Sequence, residues 1–478
     1  MIIIAVVLAY FALLFAVSRW TGRRATNEAF FRAERKSPWY MVAFGMVGAS
    51  ISGVTFVSVP GMVMKTQMTY LQTCMGFILG YVAVAFVLLP LYYRLNLTSI
   101  YAYLGQRLGA RSYRTGSSFF LLSKMAGAAV KFYVVCLILQ RFVADAVGVP
   151  FVGTVITMVL LIWLYTRQGG IKTLVWTDSL HTLCLFTALL LIIYKATGDL
   201  GLTWGGAVQA VGNSELSRVF VLDDWVSKQH FLKQFVSGVF IVIVMTGLDQ
   251  DMMQKNLTCK TLRDAQKDMC SYGVAFVPAN LLFLSLGVLL VLLAQMRGDE
   301  LPVVADRLVP MYAATGLLGQ GAMLLFLLGI LSSAFSSADS AMTALTTTVC
   351  VDWFGRPSDE GLRRNVHLCM AGSFAVCMLL FHTLGSSSLI DAIYTICGYT
   401  YGPLLGLFAF GLFMRFRVAD RAVPFIAVAS PLLCWVLNRV VEQSTGYVFG
   451  YELLLLNGLF TFAGLFVSSL FAGRKQRI

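Results

Sequence analysis

The chain has 478 residues, of which 58% are hydrophobic and only 12% are charged. Soluble domains are about 45–50% apolar and about 25% charged, so this composition excludes a soluble globular protein and predicts an all-α polytopic membrane protein. The net charge of +13 does not indicate a nucleic-acid partner, because Lys and Arg lie in short segments between long apolar runs. Basic loops between apolar spans are typical of membrane topology.

Thirteen apolar stretches are predicted as transmembrane helices, each of which needs about 20 residues. The predicted spans are 2–20, 39–63, 70–93, 117–147, 150–165, 173–194, 235–254, 269–296, 317–351, 366–384, 389–414, 422–437 and 451–471. Arginines follow the first span instead of preceding it, which favours a retained helix over a cleaved signal peptide. The longest connection, 195–234, is predicted to be external and to carry short interfacial helices.

The distribution of basic residues predicts the orientation of the chain. Of 36 Lys and Arg residues, 25 fall in alternate loops that begin after the first span, 8 in the other loops and 3 inside the fourth span. Cytoplasmic loops carry the excess of basic residues. We therefore expect an external N-terminus and a cytoplasmic C-terminus with the basic tail Arg474, Lys475 and Arg477, in a plasma membrane such as the bacterial inner membrane.

Two spans are poorly formed for continuous helices. The second contains Gly48-Ala49-Ser50-Ile51-Ser52-Gly53-Val54-Thr55, and the seventh contains Thr246-Gly247-Leu248-Asp249-Gln250. Unwound backbone at membrane depth is tolerated where it lines a cavity. Interrupted helices at corresponding positions of two halves indicate a transporter with inverted repeats. The alternative is that the Gly and Ser residues serve close helix packing.

The ninth span carries the densest polar pattern. At helical spacing, Ser333, Ser336, Ser337 and Ser340 form one hydroxyl stripe, and Asp339 lies on an adjoining face. An intramembrane carboxylate is unfavourable unless it is paired with a positive group. Oxygen groups suit sodium, a hard cation, whereas the alternative is that the hydroxyls bond back to their own helix.

A second intramembrane acid, Asp178, is expected in the same half of the membrane as Asp339, so a shared cation site is geometrically allowed. Lys124 and Lys131 are seven residues apart, on one face of the fourth span. Either lysine could neutralise one of these acids or meet an anionic substrate. The sequence leaves both roles open.

Several of these segments resemble the sodium:solute symporter family, which includes the sodium/glucose cotransporters. The resemblance rests on residues 169–178, 249–257, the pair Ser336-Ser337 with Asp352, and residues 398–406. It implies a leucine-transporter-type fold with two inverted five-helix repeats. The implied division is 1–38 (extra helix), 39–195 (first repeat), 196–234 (external loop), 235–414 (second repeat) and 415–478 (two C-terminal helices and a basic tail).

The resemblance also implies where sodium binds. A first site would use the carbonyls of Gly48, Ile51 and Ser333 with the hydroxyls of Ser336 and Ser337. A second site, known from sialic-acid transporters of the family, would use Asp178, Ser336, Asp339 and Ser340, with Asp339 replacing a Ser. One or two sodium ions are therefore expected. Two further departures, His181 for Gln and Lys255 for Arg, are expected to lie outside the ion sites.

For the substrate, the resemblance favours the branch that carries sialic acid and other carboxylates. The implied contacts are Ser50, Ser52, Thr55 and Gln72, with Lys124 or Lys131 as the basic residue. Sugar-type relatives have polar and aromatic residues where this chain has Val242 and Met245, which disfavours glucose and galactose.

The expected function is sodium-coupled import of a small solute by alternating access, performed by a monomer. A sodium-coupled transporter of a sugar, monocarboxylate or amino acid is the alternative in the same family. A uniporter or proton-coupled carrier on the same fold, with Asp178 and Asp339 as proton sites, is a further alternative. A channel is disfavoured because the polar residues concentrate at two levels, and an enzyme because the sequence presents no pairing of His with acids.

Overall fold

The computed structural model describes residues 2–23, 26–167, 169–384, 389–447 and 449–471. Within these ranges the regular structure is helical, and the one β-type pairing is an isolated bridge between Ser37 and Cys259. The all-α class is confirmed. The predicted basic tail, Arg474, Lys475 and Arg477, lies outside the described residues.

The α-helices follow one another with short connections. They are α1 (Ile2–Thr21), α2 (Asn27–Arg32), α3 (Trp39–Ser50), α4 (Gly53–Thr66), α5 (Tyr70–Ala83), α6 (Leu89–Arg94), α7 (Ala102–Arg107), α8 (Ala110–Leu139), α9 (Phe151–Thr166), α10 (Ile171–Asp199), α11 (Trp204–Asn213), α12 (Phe231–Val242), α13 (Gln250–Asn256), α14 (Leu262–Arg297), α15 (Leu308–Ala313), α16 (Gln320–Thr348), α17 (Glu360–Leu384), α18 (Leu389–Phe413), α19 (Val423–Thr445) and α20 (Leu453–Phe471). Single π turns occupy Val84–Leu88, Gln140–Ala144, Ile243–Gly247 and Val349–Trp353, and 3-10 turns occupy Ala33–Arg35, Asp145–Val147, Glu215–Ser217 and Ala305–Arg307.

Among the described residues, eight helices are long and apolar enough to cross a membrane, and counting each bent helix pair as one span raises the number to ten. Two shorter apolar helices, Ala5–Thr21 and Phe151–Thr166, coincide with predicted spans. The chain is therefore a multi-pass membrane protein. The full number of thirteen crossings stays a prediction.

Both interrupted spans are broken where the sequence predicted it. The axes of α3 and α4 differ by 60°, with Ile51 and Ser52 between them, and the helix that ends at Gly247 meets α13 at 71°. Asp249 caps α13, because its Oδ1 accepts the amides of Asp251 (2.9 Å) and Met252 (3.3 Å). A side chain that caps a helix start in this way favours a new helix over continuation of the old one.

The main helix contacts occur as equivalent pairs in the two halves. The broken helix of the first half packs through α4 on α14, and that of the second half packs through α12 on α5. Likewise α10 packs on α16, and α18 packs on α8. This correspondence is what two inverted five-helix repeats require. The repeat bounds 39–195 and 235–414 stay a prediction, whereas the short helices expected in 196–234 are present as α11 and a 3-10 turn.

Candidate functional site

A cavity lies where the two broken helices face each other. Its atom-free space is about 1090 Å³ when the opening to solvent is included. The polar residues in its wall are Ser50, Ser52, Thr55, Tyr70, Tyr81, Ser123, Lys124, Lys131, Thr246, Asp249, Asp251, Tyr272, Ser336, Ser337 and Tyr401.

Five of the six predicted substrate contacts lie in this wall: Ser50, Ser52, Thr55, Lys124 and Lys131. Gln72 is fully buried behind it, where its Nε2 donates to the Gln229 carbonyl (2.9 Å) and its Oε1 accepts the Val221 amide (3.2 Å). These contacts tie Gln72 to the loop at 196–234, so its role as a substrate contact stays a prediction. Val242 and Met245 also line the cavity.

The partners of Lys124 differ from those expected from the sequence. Its ammonium pairs with Asp251 at 2.6 Å and with Asp249 at 3.2 Å. The Tyr401 hydroxyl donates to Asp249 Oδ2 at 2.5 Å, the same oxygen that lies 3.2 Å from the Lys124 ammonium. Lys124 therefore joins α8 to the start of α13. Sequence reasoning used the Asp249-Gln250 stretch as a sign of a helix break and as part of the family resemblance, and it missed both acids as members of the site.

Backbone and hydroxyl oxygens converge where α3 ends against α16. The Ser333 hydroxyl donates to the Ile51 carbonyl (2.5 Å) and the Ser337 hydroxyl to the Ala49 carbonyl (3.5 Å). The Ser52 amide donates to the Ser50 carbonyl (3.1 Å), outside the helical pattern that would join it to Gly48. The carbonyl oxygens that the helix break leaves without helical partners and the two hydroxyl oxygens are ligands of the kind that suits a sodium ion. Ile51, Ser333 and Ser337 of the first predicted sodium site meet here, whereas the Ser336 hydroxyl is directed to Asp178. The ligand set itself stays a prediction.

Gly48 lies where α3 touches α10. A Cβ at this position would lie 2.0 Å from Thr182 Oγ1, so only glycine allows the two helices to approach this closely. The approach brings the broken helix against the same segment of α10 that carries Asp178.

The Asp178 carboxylate has a strong partner on each oxygen. Its Oδ1 accepts the Ser336 hydroxyl at 2.6 Å, and its Oδ2 is paired with the Lys255 ammonium at 2.8 Å. Lys255 belongs to α13 and is 2% exposed, although its basic charge had been assigned to a cytoplasmic loop. That assignment is wrong. Removing Lys255 from the count of basic residues in the cytoplasmic loops does not change the excess on which the predicted orientation depends. Of the two roles left open for Lys124, the neutralisation of Asp178 or Asp339 is not observed, because its ammonium pairs with Asp249 and Asp251.

Asp339 lies in a network of buried polar groups. Its Oδ2 accepts the Tyr165 hydroxyl at 2.6 Å and lies 3.8 Å from His181 Nε2. The Ser340 hydroxyl donates to Oδ1 at 3.3 Å, and the Tyr10 hydroxyl is bonded to His181 Nδ1 at 2.5 Å.

One ligand atom each from Asp178, His181 and Asp339 lies within 4.8 Å of the others, so the predicted proximity of the two acids is confirmed. The expectation that His181 and Lys255 lie away from this site is wrong. Lys255 is far from Asp178 in the chain, and no spacing rule connects this pair. His181 lies three residues after Asp178 on α10, so helical spacing could have placed it beside the site.

Comparison with known proteins agrees with this geometry. A family model described as the sodium:solute symporter family matches residues 30–419. The sodium/sialic acid symporter SiaT of Proteus mirabilis is 24% identical, over 99% of this chain and 96% of that protein. The sodium/sialic acid symporter NanT of Aliivibrio fischeri is 25% identical, over 90% and 86%. The sodium-dependent multivitamin transporter of Oryctolagus cuniculus is 26% identical, over 91% and 69%.

Two solved structures share the fold. The substrate-bound outward-open state of a Na+-coupled sialic acid symporter aligns with all of this chain and 99% of that chain, with a TM-score of 0.84 and 20% identity. The nucleobase-cation-symport-1 family transporter MHP1, in a closed conformation, aligns over 92% of this chain and 93% of that chain, with a TM-score of 0.56 and 15% identity. The leucine-transporter-type fold is thereby confirmed.

Proposed function

The chain belongs to the sodium:solute symporter family, and from this premise we propose that it imports a small carboxylate-bearing solute together with sodium, with sialic acid as the first solute to test. Sodium is a co-transported substrate here. The family and the relatives described above are transporters, so no enzymatic step is part of the proposal.

The observation that carries the proposal is the wall of the cavity at the start of α4. Ser52 is the N-cap of this 14-residue helix, and Val54 and Thr55 of its first turn line the cavity. The first amides of a helix lack intrahelical partners and carry partial positive charge, which suits an anion. Lys124 and Lys131, both on α8, line the same cavity. We assign the solute carboxylate to the α4 N-terminus together with Lys131.

Coupling follows from the position of the sodium ligands. The carbonyls of Ala49 and Ile51 belong to the same break that presents Ser50 and Ser52 to the solute. An ion held between these carbonyls and α16 fixes the shape of the break, so each ligand raises affinity for the other. Separation of α16 from the break would release sodium and then the solute, which is the inward step of alternating access.

The orientation belongs to the proposal as well. The excess of basic residues in alternate loops supports an external N-terminus and a cytoplasmic C-terminus in a bacterial inner membrane. Transport by a monomer embedded in the lipid bilayer is likewise part of the proposal.

The test is thermal unfolding of the purified protein in sodium against potassium, with a panel of solutes. A ligand that binds only the folded state stabilises it by RT ln(1 + [L]/Kd), about 2.7 kcal/mol at a hundredfold excess over Kd. We expect sialic acid or another carboxylate to raise the melting temperature in sodium and not in potassium. Stabilisation by a neutral sugar instead, with no response to any carboxylate, would overturn the substrate class and leave sodium symport in place.

A matched pair of variants sharpens the test. Lys131→Met should abolish most of the stabilisation by the carboxylate and preserve the effect of sodium alone. The control Lys228→Met removes a lysine from the loop at 196–234 and should change neither response. Equal loss in both variants would contradict the role given to Lys131.

The buried pair of Asp339 and His181, 3.8 Å apart, favours one other function on this fold. A carboxylate and an imidazole at this distance could exchange a proton, as a proton-coupled carrier requires. Uptake driven by a pH gradient, with no response of the protein to sodium, would place this function first.

A further inference from the structure

Asp268 is a buried carboxyl group that the proposed transport cycle does not use. It lies near the start of α14 and is fully buried. Its Oδ2 accepts a hydrogen bond of 2.5 Å from Asn256 Nδ2, at the end of α13. Among the described residues, Asn256 is its one hydrogen-bond partner. A buried carboxylate with so little compensation is strongly unfavourable.

No basic group compensates Asp268 among the residues that the structure describes. The neighbouring Lys267 has its ammonium over the Trp39 ring, 5.8 Å from the centroid, and Lys255 of α13 is paired with Asp178. The titratable groups around Asp268, from α6, from the segment after α13 and from α14 itself, are Tyr93, Cys259, Asp264, Cys270 and Tyr272. None of these groups can carry a positive charge.

Two acceptor oxygens of the Asn256 and Asp268 pair lack donors. The Asn256 amide nitrogen uses its two hydrogens for Asp268 and for the Ala265 carbonyl (3.0 Å). The amide oxygen of Asn256 and the Oδ1 of Asp268 are buried and have no partner among the described side chains. Exchanging the amide oxygen and nitrogen would leave the Ala265 carbonyl facing another acceptor. Buried polar atoms are nearly always hydrogen-bonded, so a donor is missing from this pair.

We propose that Asp268 is a proton-binding site, in which the neutral acid donates its proton to the Asn256 amide oxygen. One proton then satisfies both acceptors and removes the buried charge. A sodium ion at this position would need more oxygen ligands than these two. The pair joins the end of α13 to α14, directly after Lys255 of the ion cluster, so the position of α13 depends on this proton. This assignment holds whichever solute and coupling ion the protein uses.

The first test is infrared spectroscopy of the purified full-length protein in H2O and D2O, which separates protonated carboxyl groups from carboxylates. We expect a protonated-carboxyl component near neutral pH that is missing from Asp268→Asn, whose amide can make the same two hydrogen bonds. Asp264→Asn is the control and should keep the component, because Asp264 lies one turn earlier, near the surface, where it accepts the Thr261 hydroxyl at 2.7 Å. An unchanged component in Asp268→Asn overturns the inference.

Spectra in sodium and in potassium distinguish a proton from an ion. A proton gives the same component in both salts, whereas a component present only in potassium would assign the two oxygens to sodium and overturn the inference. Asn256→Leu should move the component to higher frequency, since the carboxyl group loses both hydrogen bonds. The same frequency in this variant would contradict the pairing. If Asp268→Asn does not fold, the result for Asn256→Leu decides.

The second test is the pH dependence of thermal unfolding. In the unfolded chain Asp268 ionises above about pH 4, whereas in the folded protein it keeps its proton, so its contribution to stability falls as the pH rises. The melting temperature of the unmodified protein, relative to that of Asp268→Asn at the same pH, should therefore fall between about pH 5 and about pH 8. A difference that stays constant over this range would show that Asp268 is ionised in the folded protein, and would overturn the inference.

Discussion

Ser333 and Ser337 lie one helical turn apart on α16, and each directs its hydroxyl to a carbonyl at the break between α3 and α4. A hydroxyl on this turn can offer an oxygen lone pair to sodium, and it also links α16 to the broken helix. Ser337 also lines the cavity, which puts it between the proposed sodium ion and the proposed solute.

We predict that Ser337→Ala weakens sodium binding with little effect on folding. A hydrogen bond to a charged group contributes about 1.5–3 kcal/mol, so the half-saturating sodium concentration should rise by roughly tenfold or more, since 1.4 kcal/mol corresponds to a factor of ten. The measurement is sodium-dependent uptake or fluorescence. Ser118→Ala is the control, because the exposed Ser118 hydroxyl donates to the Arg114 carbonyl of its own helix. The same shift in both variants would contradict the site.

At the residue scale, helical spacing was enough to predict the buried hydroxyl stripe and the proximity of Asp178 and Asp339. It could not predict the counterions. Lys255 reads as a loop residue, because it follows a short polar segment after the seventh span. Only the 71° bend carries α13 back into the protein and places this lysine against Asp178.

Helices α5 and α12 show how glycine sets the contact between elements. A Cβ on Gly76 would lie 2.1 Å from the Phe235 carbonyl oxygen, and one on Gly238 would lie 2.3 Å from the Thr73 carbonyl oxygen. The two backbones therefore touch directly. Gly76 and Gly80 form a GxxxG pattern, which allows such close packing in membranes. The alternative of close packing is thus correct for these glycines and for Gly48, alongside the helix breaks.

We predict that Gly76→Ala destabilises the protein. The added methyl group meets backbone that cannot rotate away, and overpacking of this kind costs about 1–3 kcal/mol. The measurement is the melting temperature in detergent. Gly372→Ala is the matched control, because Gly372 is also within a long apolar helix but has open space at its Cβ position. Equal melting temperatures in the two variants would show that α5 and α12 separate easily.

Helix boundaries were the less predictable part of the elements. The predicted span 117–147 begins seven residues after α8 begins, and 269–296 begins seven residues after α14 begins. The missed first turns contain Arg and Lys residues, since these helices extend beyond the apolar layer. Hydropathy detects the part of a helix that faces lipid. The polar first turns of α8 and α14 are stabilised by contacts with the rest of the protein, which a hydropathy profile does not measure.

For the molecule as a whole, the topology is easier to predict from the sequence than the packing of the helices. Two interruptions five spans apart were enough to predict inverted repeats, and the equivalent pairs α4 with α14 and α12 with α5 agree with them. The same reasoning could not predict that both breaks open onto one cavity, because that depends on the angles of 60° and 71°.

The orientation can be tested with two exposed positions. Val208 is 73% exposed on α11, in the loop proposed to be external, and Ser358 is exposed between α16 and α17, in a loop proposed to be cytoplasmic. In a background without the ten native cysteines, Val208→Cys should react with a membrane-impermeant maleimide in intact cells. Ser358→Cys should react only after permeabilisation, because the basic loops remain inside. The reverse pattern would place the N-terminus in the cytoplasm. Import would still follow the inward sodium gradient, because the gradients and not the orientation of the carrier set the direction of symport, but the faces from which the cavity fills and empties would exchange.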